Sequence, residues 1–299
     1  MLKTPYVAVI GAVNLDICGR PGQKLILQDS NPGTVRSTQG GVGRNIAHDL
    51  RLLGENVAFL TVFGDDPNGA FLRQGCEDLG MDLTGSETIP GGHTSTYLYI
   101  TDDRGEMRLA VSDMELIQSI TPEWLEKRSE LLAGAAAIAV DGNLMPEALK
   151  WIAEHCTAPI FADPVSVAKA ERLRPILSKL HTFKPNLTEG QHLTGETEPE
   201  AVLQKLLDLG VQRVYLSLGP RGILAGEGDM RALLPCYPTN LVNTTGGGDA
   251  VMAALIWAHL RGLNLEQSTR AALKAGQITV EYEGTNSPEL TSEKLMKAE

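Results

Sequence analysis

The chain has 299 residues, 42% of them hydrophobic, and a formal charge of −11. A chain of this length and apolar content can bury roughly three quarters of its unfolded surface, which excludes a disordered protein; the acidic balance, with no basic run, excludes a nucleic-acid polymer as partner. The four cysteines, Cys18, Cys76, Cys156 and Cys236, stand far apart without a CxxC pair, which argues against a disulfide framework or zinc knuckle and for a reduced, cytoplasmic setting.

In chain order, Val7–Val13 is apolar but too short to span a membrane, lacks the flank and cleavage pattern of a signal peptide, and runs at once into Asn14 and Asp16. It reads as a buried first strand, so no membrane partner is expected. Residues 17–39 are polar and punctuated by glycine and proline. At Gly40-Gly41-Val42-Gly43-Arg44-Asn45 a glycine-rich turn opens a helix from about Gly43, because Ile46, Ala47, Leu50 and Leu53 fall on one helical face that stops at Gly54. Asn45 lies in the first turn and can both donate and accept, as gripping a sugar hydroxyl requires; the alternative is a solvated helix-start asparagine. A strand over Ala58–Phe63 and a helix after Pro67 follow.

The stretch His93–Asp113 then alternates with period two, turns at Asp102-Asp103-Arg104-Gly105 and returns through Met107, Leu109 and Val111. That is a hairpin with one face to cover. Further on come a strand over Ala136–Val140, a helix after Pro146, and strands over Ile160–Ala162 and Val214–Leu218. Short apolar strands alternating with helices predict a doubly wound α/β architecture, its mostly parallel sheet covered by helices on both faces. The hairpin and the polar segment break this rhythm. They read as a small β-sheet lid, formed by about 17–39 and 93–113 and inserted into a single domain spanning 1–299.

Near the end, Asn243-Thr244-Thr245-Gly246-Gly247-Gly248-Asp249-Ala250 runs into the apolar Val251–Trp257. Consecutive glycines at a helix start let backbone N–H groups converge on an anion. A carboxylate beside them repels phosphate yet suits a general base that takes a proton from an attacking hydroxyl, which is the layout of a phosphoryl transferase. The alternative is an ordinary loop with Asp249 as a first-turn acid. Nothing matches GxxxxGK[ST], GxGxxG after the first strand, or GxSxG, and the six histidines show no metal-binding spacing.

Asn14-Leu15-Asp16, the GGVGRNIA segment at 40–47, Lys184-Pro185-Asn186-Leu187-Thr188-Glu189, Ser217-Leu218-Gly219-Pro220-Arg221-Gly222 and Thr244 to Asp249 occur in the order seen in the ribokinase-like (PfkB) carbohydrate and nucleoside kinases, which the chain resembles over nearly its whole length. The resemblance implies a ribokinase-like fold and an ATP-dependent, Mg2+-requiring kinase. It casts Asp249 as general base toward a sugar's primary hydroxyl, with Gly246, Gly247 and Gly248 offering N–H groups to the transferring phosphate. Asn14, Asp16, Gly40, Gly41 and Asn45 would grip the ribose. Asn186 and Glu189 would form an NxxE motif in which Glu189 orders Mg2+ through water, with Asp163 a second candidate for the metal shell, and Ser217, Gly219 and Gly222 would line the nucleotide pocket. Each has a plainer reading: turn and cap for Asn14 and Asp16, helix start for Asn186 and Glu189, strand-turn-strand for the last three.

Within the family the chain looks most like the pseudouridine kinases, through Asp29-Ser30-Asn31-Pro32-Gly33, Ser112-Asp113-Met114, Asp163-Pro164-Val165-Ser166 and Thr285-Asn286-Ser287-Pro288. That makes a 5′-hydroxyl of pseudouridine the expected acceptor, with Ser30, Asn31, Thr96 and Asp113 as lid candidates for reading the base, or as turn residues. Another sugar or nucleoside kinase of the family, and a catalytically silent sugar-binding or regulatory protein, are the rival readings. The resemblance also implies a homodimer through the lid. Asn243 stands where many members have Asp that helps hold a monovalent cation, which weakens the expectation of a K+ requirement, and Gly247 stands where Ala is frequent.

Overall fold

A computed structural model describes residues 5–297. Its central sheet has eight strands in the order Met230–Leu234, Ile223–Glu227, Arg213–Ser217, Thr182–Phe183, Ile160–Asp163, Ala137–Asp141, Val7–Ile10, Val57–Leu60. From Arg213–Ser217 onward the pairs are parallel, and the two pairs before it are antiparallel. Alternate residues of each strand enter different layers. Val7 and Val9 pack with Ile46 and Leu50 of helix Val42–Leu52 and with Met252 and Ile256 of helix Gly247–Leu260. Ala8 and Ile10 pack instead with Leu149 and Ile152 of helix Pro146–His155. Helices on both faces explain why these strands are apolar at consecutive positions. None of the described helices is long and apolar enough to cross a membrane.

Two expected strands end early. The first stops at Ile10 because the backbone N–H of Ala12, like that of Gly43, donates to the buried Asp141 carboxylate at 2.9 Å, drawing the chain out of the sheet. Ala58–Phe63 breaks at Thr61, whose hydroxyl donates to Gly11 C=O at 2.7 Å. Its second part, Val62–Gly64, pairs with Glu87–Ile89 in a separate two-stranded sheet.

A small four-stranded sheet stands apart, in the order Gly33–Gly40, Asn14–Pro21, Thr96–Thr101, Met107–Asp113. The hairpin pairs Thr96 with Asp113 and Leu98 with Val111, and its register shifts once, between Ile100 and Thr101. Asp102 closes the turn by accepting from the backbone N–H groups of Arg104 and Glu106 at 2.9 and 3.0 Å. The first strand begins at Asn14, three residues before the expected boundary, which brings Asn14 and Asp16 into the sheet. Asp16, Cys18, Thr38 and Tyr99 share the face that lines a cleft, while Val35, Leu98, Leu109 and Val111, of the other parity, are exposed.

Candidate active site

The parallel strands point their C-terminal ends at one side of the sheet, the usual place for ligands in such folds. Asp141 and Asp163 close their strands there, and Lys184 follows Thr182–Phe183. Facing them are the first turns of two packed helices, Val42–Leu52 and Gly247–Leu260. Gly246 caps the second helix at φ 83°, a left-handed conformation that favours glycine, and a Cβ there would collide with the Thr285 carbonyl.

Asp249 lies in the first turn of that helix and is buried. Its Oδ2 accepts a 2.8 Å hydrogen bond from Asn45 Nδ2. Burial and the nearby Asp163 carboxylate hold its proton affinity well above the usual carboxylate range, against the opposing pull of Asn45 and Lys184. A carboxylate so placed is a competent proton acceptor. Lys184 pairs with Asp163 through a 3.0 Å Nζ to Oδ2 contact. Burial alone would lower the lysine's pKa, but Asp163, with Glu189 and Asp249 behind it, outweighs burial and keeps the ammonium charged. A Cβ on Gly248 would lie 3.3 Å from Lys184 Nζ, so this cation sits beside the glycine-rich turn. Sequence reasoning gave Lys184 no role; the available signal was a single lysine directly before Pro185 at the head of the Asn186–Glu189 motif.

Asn186 and Glu189 form a capping box on helix Leu187–Thr194. The Glu189 N–H donates to Asn186 Oδ1 at 2.9 Å and the Asn186 N–H to Glu189 Oε2 at 2.8 Å. The helix-start reading of this pair therefore holds, and both residues also line a cleft of about 790 Å3. The same cleft collects Asp163, Lys184, Ser217, Gly219, Gly222, Gly247, Gly248 and Asp249, with Val251, Leu273 and Val280 as apolar wall. Both Asp163 oxygens are engaged, Oδ1 by the Val165 N–H at 2.8 Å and Oδ2 by Lys184. Among the described residues, no three His, Cys, Asp or Glu side chains are grouped so as to hold a metal ion.

A second cleft, of about 580 Å3, is lined by Asp16, Thr38, Gln39, Arg44, His48 and Asn286, together with Asn243 and Thr245. The loop from Asn243 to Gly248 thus borders both clefts. Asn14 Nδ2 donates to Asp16 Oδ1 at 2.6 Å. Burial raises the Asp16 pKa, opposed by that bond and by the Arg44 charge. A Cβ on Gly40 would displace the Asp16 carboxylate, and Gly41 starts its helix at φ 103°.

The lid candidates lie elsewhere. Ser30 and Asn31 are in an exposed turn, where the Asn31 amide bonds the N–H and C=O of Ile26, both at 2.8 Å. Thr96 donates to Thr94 C=O at 3.0 Å. Asp113 lines a third cleft, of about 470 Å3, with Asn143 and Lys169. None of the four lines either of the two main clefts. Arg44, Asp141 and Asn286, to which the sequence gave no role, are central to the polar framework instead.

The pfkB family carbohydrate kinase model matches residues 4–292. The chain belongs to that family. It is 36% identical to the pseudouridine kinase of Escherichia coli (strain K12), over 97% of this chain and 95% of that one. It is 33% identical to an uncharacterized sugar kinase of the same strain, over 99% and 84%. The ribokinase of Arabidopsis thaliana, solved with ribose and ATP, matches 99% of both chains with a TM-score of 0.85 at 21% identity. This PfkB kinase has the ribokinase-like α/β fold with its mostly parallel central sheet, and it is a phosphotransferase acting on a hydroxyl group.

Proposed function

We propose that this PfkB kinase transfers the γ-phosphoryl group of ATP to the 5′-hydroxyl of a ribosyl compound, and that pseudouridine is its acceptor. The observation that carries the chemistry is the buried Asp249 beside the loop that borders two clefts, one polar around Asp16 and one with an apolar wall beyond Lys184. The acceptor is argued from the 36% identity to a pseudouridine kinase.

In this reading Asn14, Asp16 and the backbone at Gly40 and Gly41 hold the sugar hydroxyls, and Asn45 has one further N–H and lone pair to offer them. Asp249 accepts the proton of the attacking hydroxyl as its oxygen bonds to the γ-phosphorus and the bond to the β-phosphate oxygen breaks, releasing ADP. Lys184 and the N–H groups of Gly246, Gly247 and Gly248 face the negative charge that builds on the transferring group. Ser217, Gly219 and Gly222 border the nucleotide. When bound with the phosphates, Mg2+ would supply positive charge that neutralises part of theirs. Glu189 is the side chain that fits a water-mediated hold on it, because one carboxylate oxygen stays outside the capping box, whereas Asp163 is committed to Lys184 and Val165.

A K+ requirement is not part of this reading. The neutral Asn243 side chain ties its turn to a distant segment, accepting from the Thr245 N–H and donating to Glu283 C=O, both at 3.0 Å. The exposed apolar face at Val35, Leu98, Leu109 and Val111 supports the small sheet as a lid that pairs with a second copy in a homodimer. The four free cysteines agree with a cytoplasmic enzyme.

The test is a coupled kinase assay with pseudouridine, uridine, ribose and adenosine. Pseudouridine carries an N1–H donor that uridine lacks, so its kcat/KM is expected to exceed that of uridine by at least about tenfold. A better rate with any of the other three would overturn pseudouridine and leave the kinase chemistry standing.

A further inference from the structure

Beside Asn45 lies a buried polar network that joins its helix to the loop at Thr285–Ser287. Arg44, 7% exposed, donates through Nη1 to Asn286 Oδ1 at 2.9 Å and to Asn45 Oδ1 at 3.3 Å, and through Nη2 to Gln39 Oε1 at 3.1 Å. Asn286 returns its Nδ2 to Asn45 C=O at 3.1 Å and to Asp49 Oδ1 at 2.9 Å.

The two ends of an asparagine amide are nearly isosteric, so packing alone would not choose between them. Hydrogen-bond chemistry does. A guanidinium can only donate, so the Asn45 atom that faces Arg44 is the oxygen, and the NH2 is left for Asp249. The reversed amide would set its oxygen against an Asp249 oxygen, an arrangement that suits the protonated acid and repels the carboxylate. Which end faces Asp249 therefore decides whether the site favours a base.

We propose that Asn286, acting through Arg44, is a positioning residue for phosphoryl transfer: it locks the Asn45 amide with its NH2 toward Asp249, the orientation that favours the carboxylate form of Asp249. This rests on the reading of Asp249 as the base. Asn286 holds the guanidinium at one end and the Asn45 backbone at the other, so it fixes both the donor that orients the amide and the point from which the side chain projects.

A double-mutant cycle on kcat tests it, with Asn286→Ala, Asn45→Ala and the double variant, all shown to be folded by thermal melting. Asn286→Ala is expected to lower kcat about tenfold in the otherwise unaltered enzyme and by no more than about twofold when Asn45 is already alanine, with the KM for ATP unchanged in both. Equal losses in the two backgrounds, or no loss in the first, would overturn the proposal. Should the alanine variant not fold, Asn286→Ser takes its place in the cycle.

Asn286→Asp adds a conservative arm. It keeps an acceptor for Arg44 but gives up the Nδ2–H bond to Asn45 C=O, so it isolates the path through Arg44, and the Asp49 carboxyl, pushed by burial up to about 8, can donate to the new carboxylate. Turnover within about threefold of the parent is expected, and a loss as large as that of alanine counts against the mechanism. Asp249→Asn measured alongside separates the two levels: full turnover there removes the base, whereas lost turnover with additive cycle losses removes only the role of Asn286.

Discussion

Asn45 and Asp249, 204 positions apart in the chain, meet in a 2.8 Å hydrogen bond between the first turns of two packed helices. Asp249→Asn retains the size of the side chain and removes its basicity. It should leave the melting temperature and nucleotide binding close to those of the parent and lower kcat at least ~100-fold, the usual scale for a positioned general base. Near-normal turnover in a folded variant would take Asp249 out of the mechanism.

The acceptor site should be separable from the nucleotide site, because Asp16 and Glu189 line different clefts. Asp16→Ala is expected to raise the acceptor KM at least about tenfold, the value of a lost charged hydrogen bond, while the nucleotide Kd stays within about twofold. Gly40→Ala should reproduce the effect with Asp16 still present, since its methyl displaces that carboxylate. Equal weakening of both ligands in steady-state kinetics would show the assignment to be misplaced.

Glu189→Gln probes the metal without unfolding its helix. Glutamine can still accept the Asn186 N–H in the capping box, so thermal stability should hold. What changes is the charge available to a hydrated cation, and the Mg2+ concentration for half-maximal rate should rise several-fold. A titration superimposable on the parent's would leave Glu189 as a cap alone.

Stability should depend on pH through two neighbours. Burial pushes the Asp49 carboxyl up to about 8 and the His48 imidazole down to about 4. Folded Asp49 keeps a proton that the unfolded chain releases above pH ~4, so its contribution is full below that value and drains away as pH rises toward 8. Folded His48 is neutral where unfolded histidine is charged, so its contribution grows between pH ~4 and ~6.5. The two oppose each other up to about pH 6.5, and above it only Asp49 of the pair acts, with a slope of at most about 1.4 kcal/mol per pH unit. Tm should fall from pH 6.5 to 8 in the parent and fall less steeply in Asp49→Asn, where the buried Asp249 still releases its proton above the ordinary carboxylate range. A parallel fall in the variant would place the titrating group elsewhere.

Much of the architecture was legible because its signals are local. Alternating apolar strands and helices announced a two-faced parallel sheet, period two announced the hairpin that pairs Thr96 with Asp113, and glycines marked the starts of both site helices. The strand Thr182–Phe183 escaped because two residues carry no period, and the break at Thr61 escaped because it is set by a hydroxyl bonded to Gly11 across the sheet.

The sequence by itself determined which residue types are available at which turn: an acid after three glycines at Asp249, an amide in a first turn at Asn45, a carboxylate after the first strand at Asp16. Only the tertiary structure decided their partners. It placed Lys184 against Asp163, turned Asn45 toward Asp249 by way of Arg44 and Asn286, and set Ser30 and Asn31 in an exposed turn outside both main clefts. The physical reason is range. Backbone preferences and apolar periodicity act over a few neighbours along the chain, whereas a buried charge or amide is satisfied by whichever group the packing of distant helices and strand ends delivers to it.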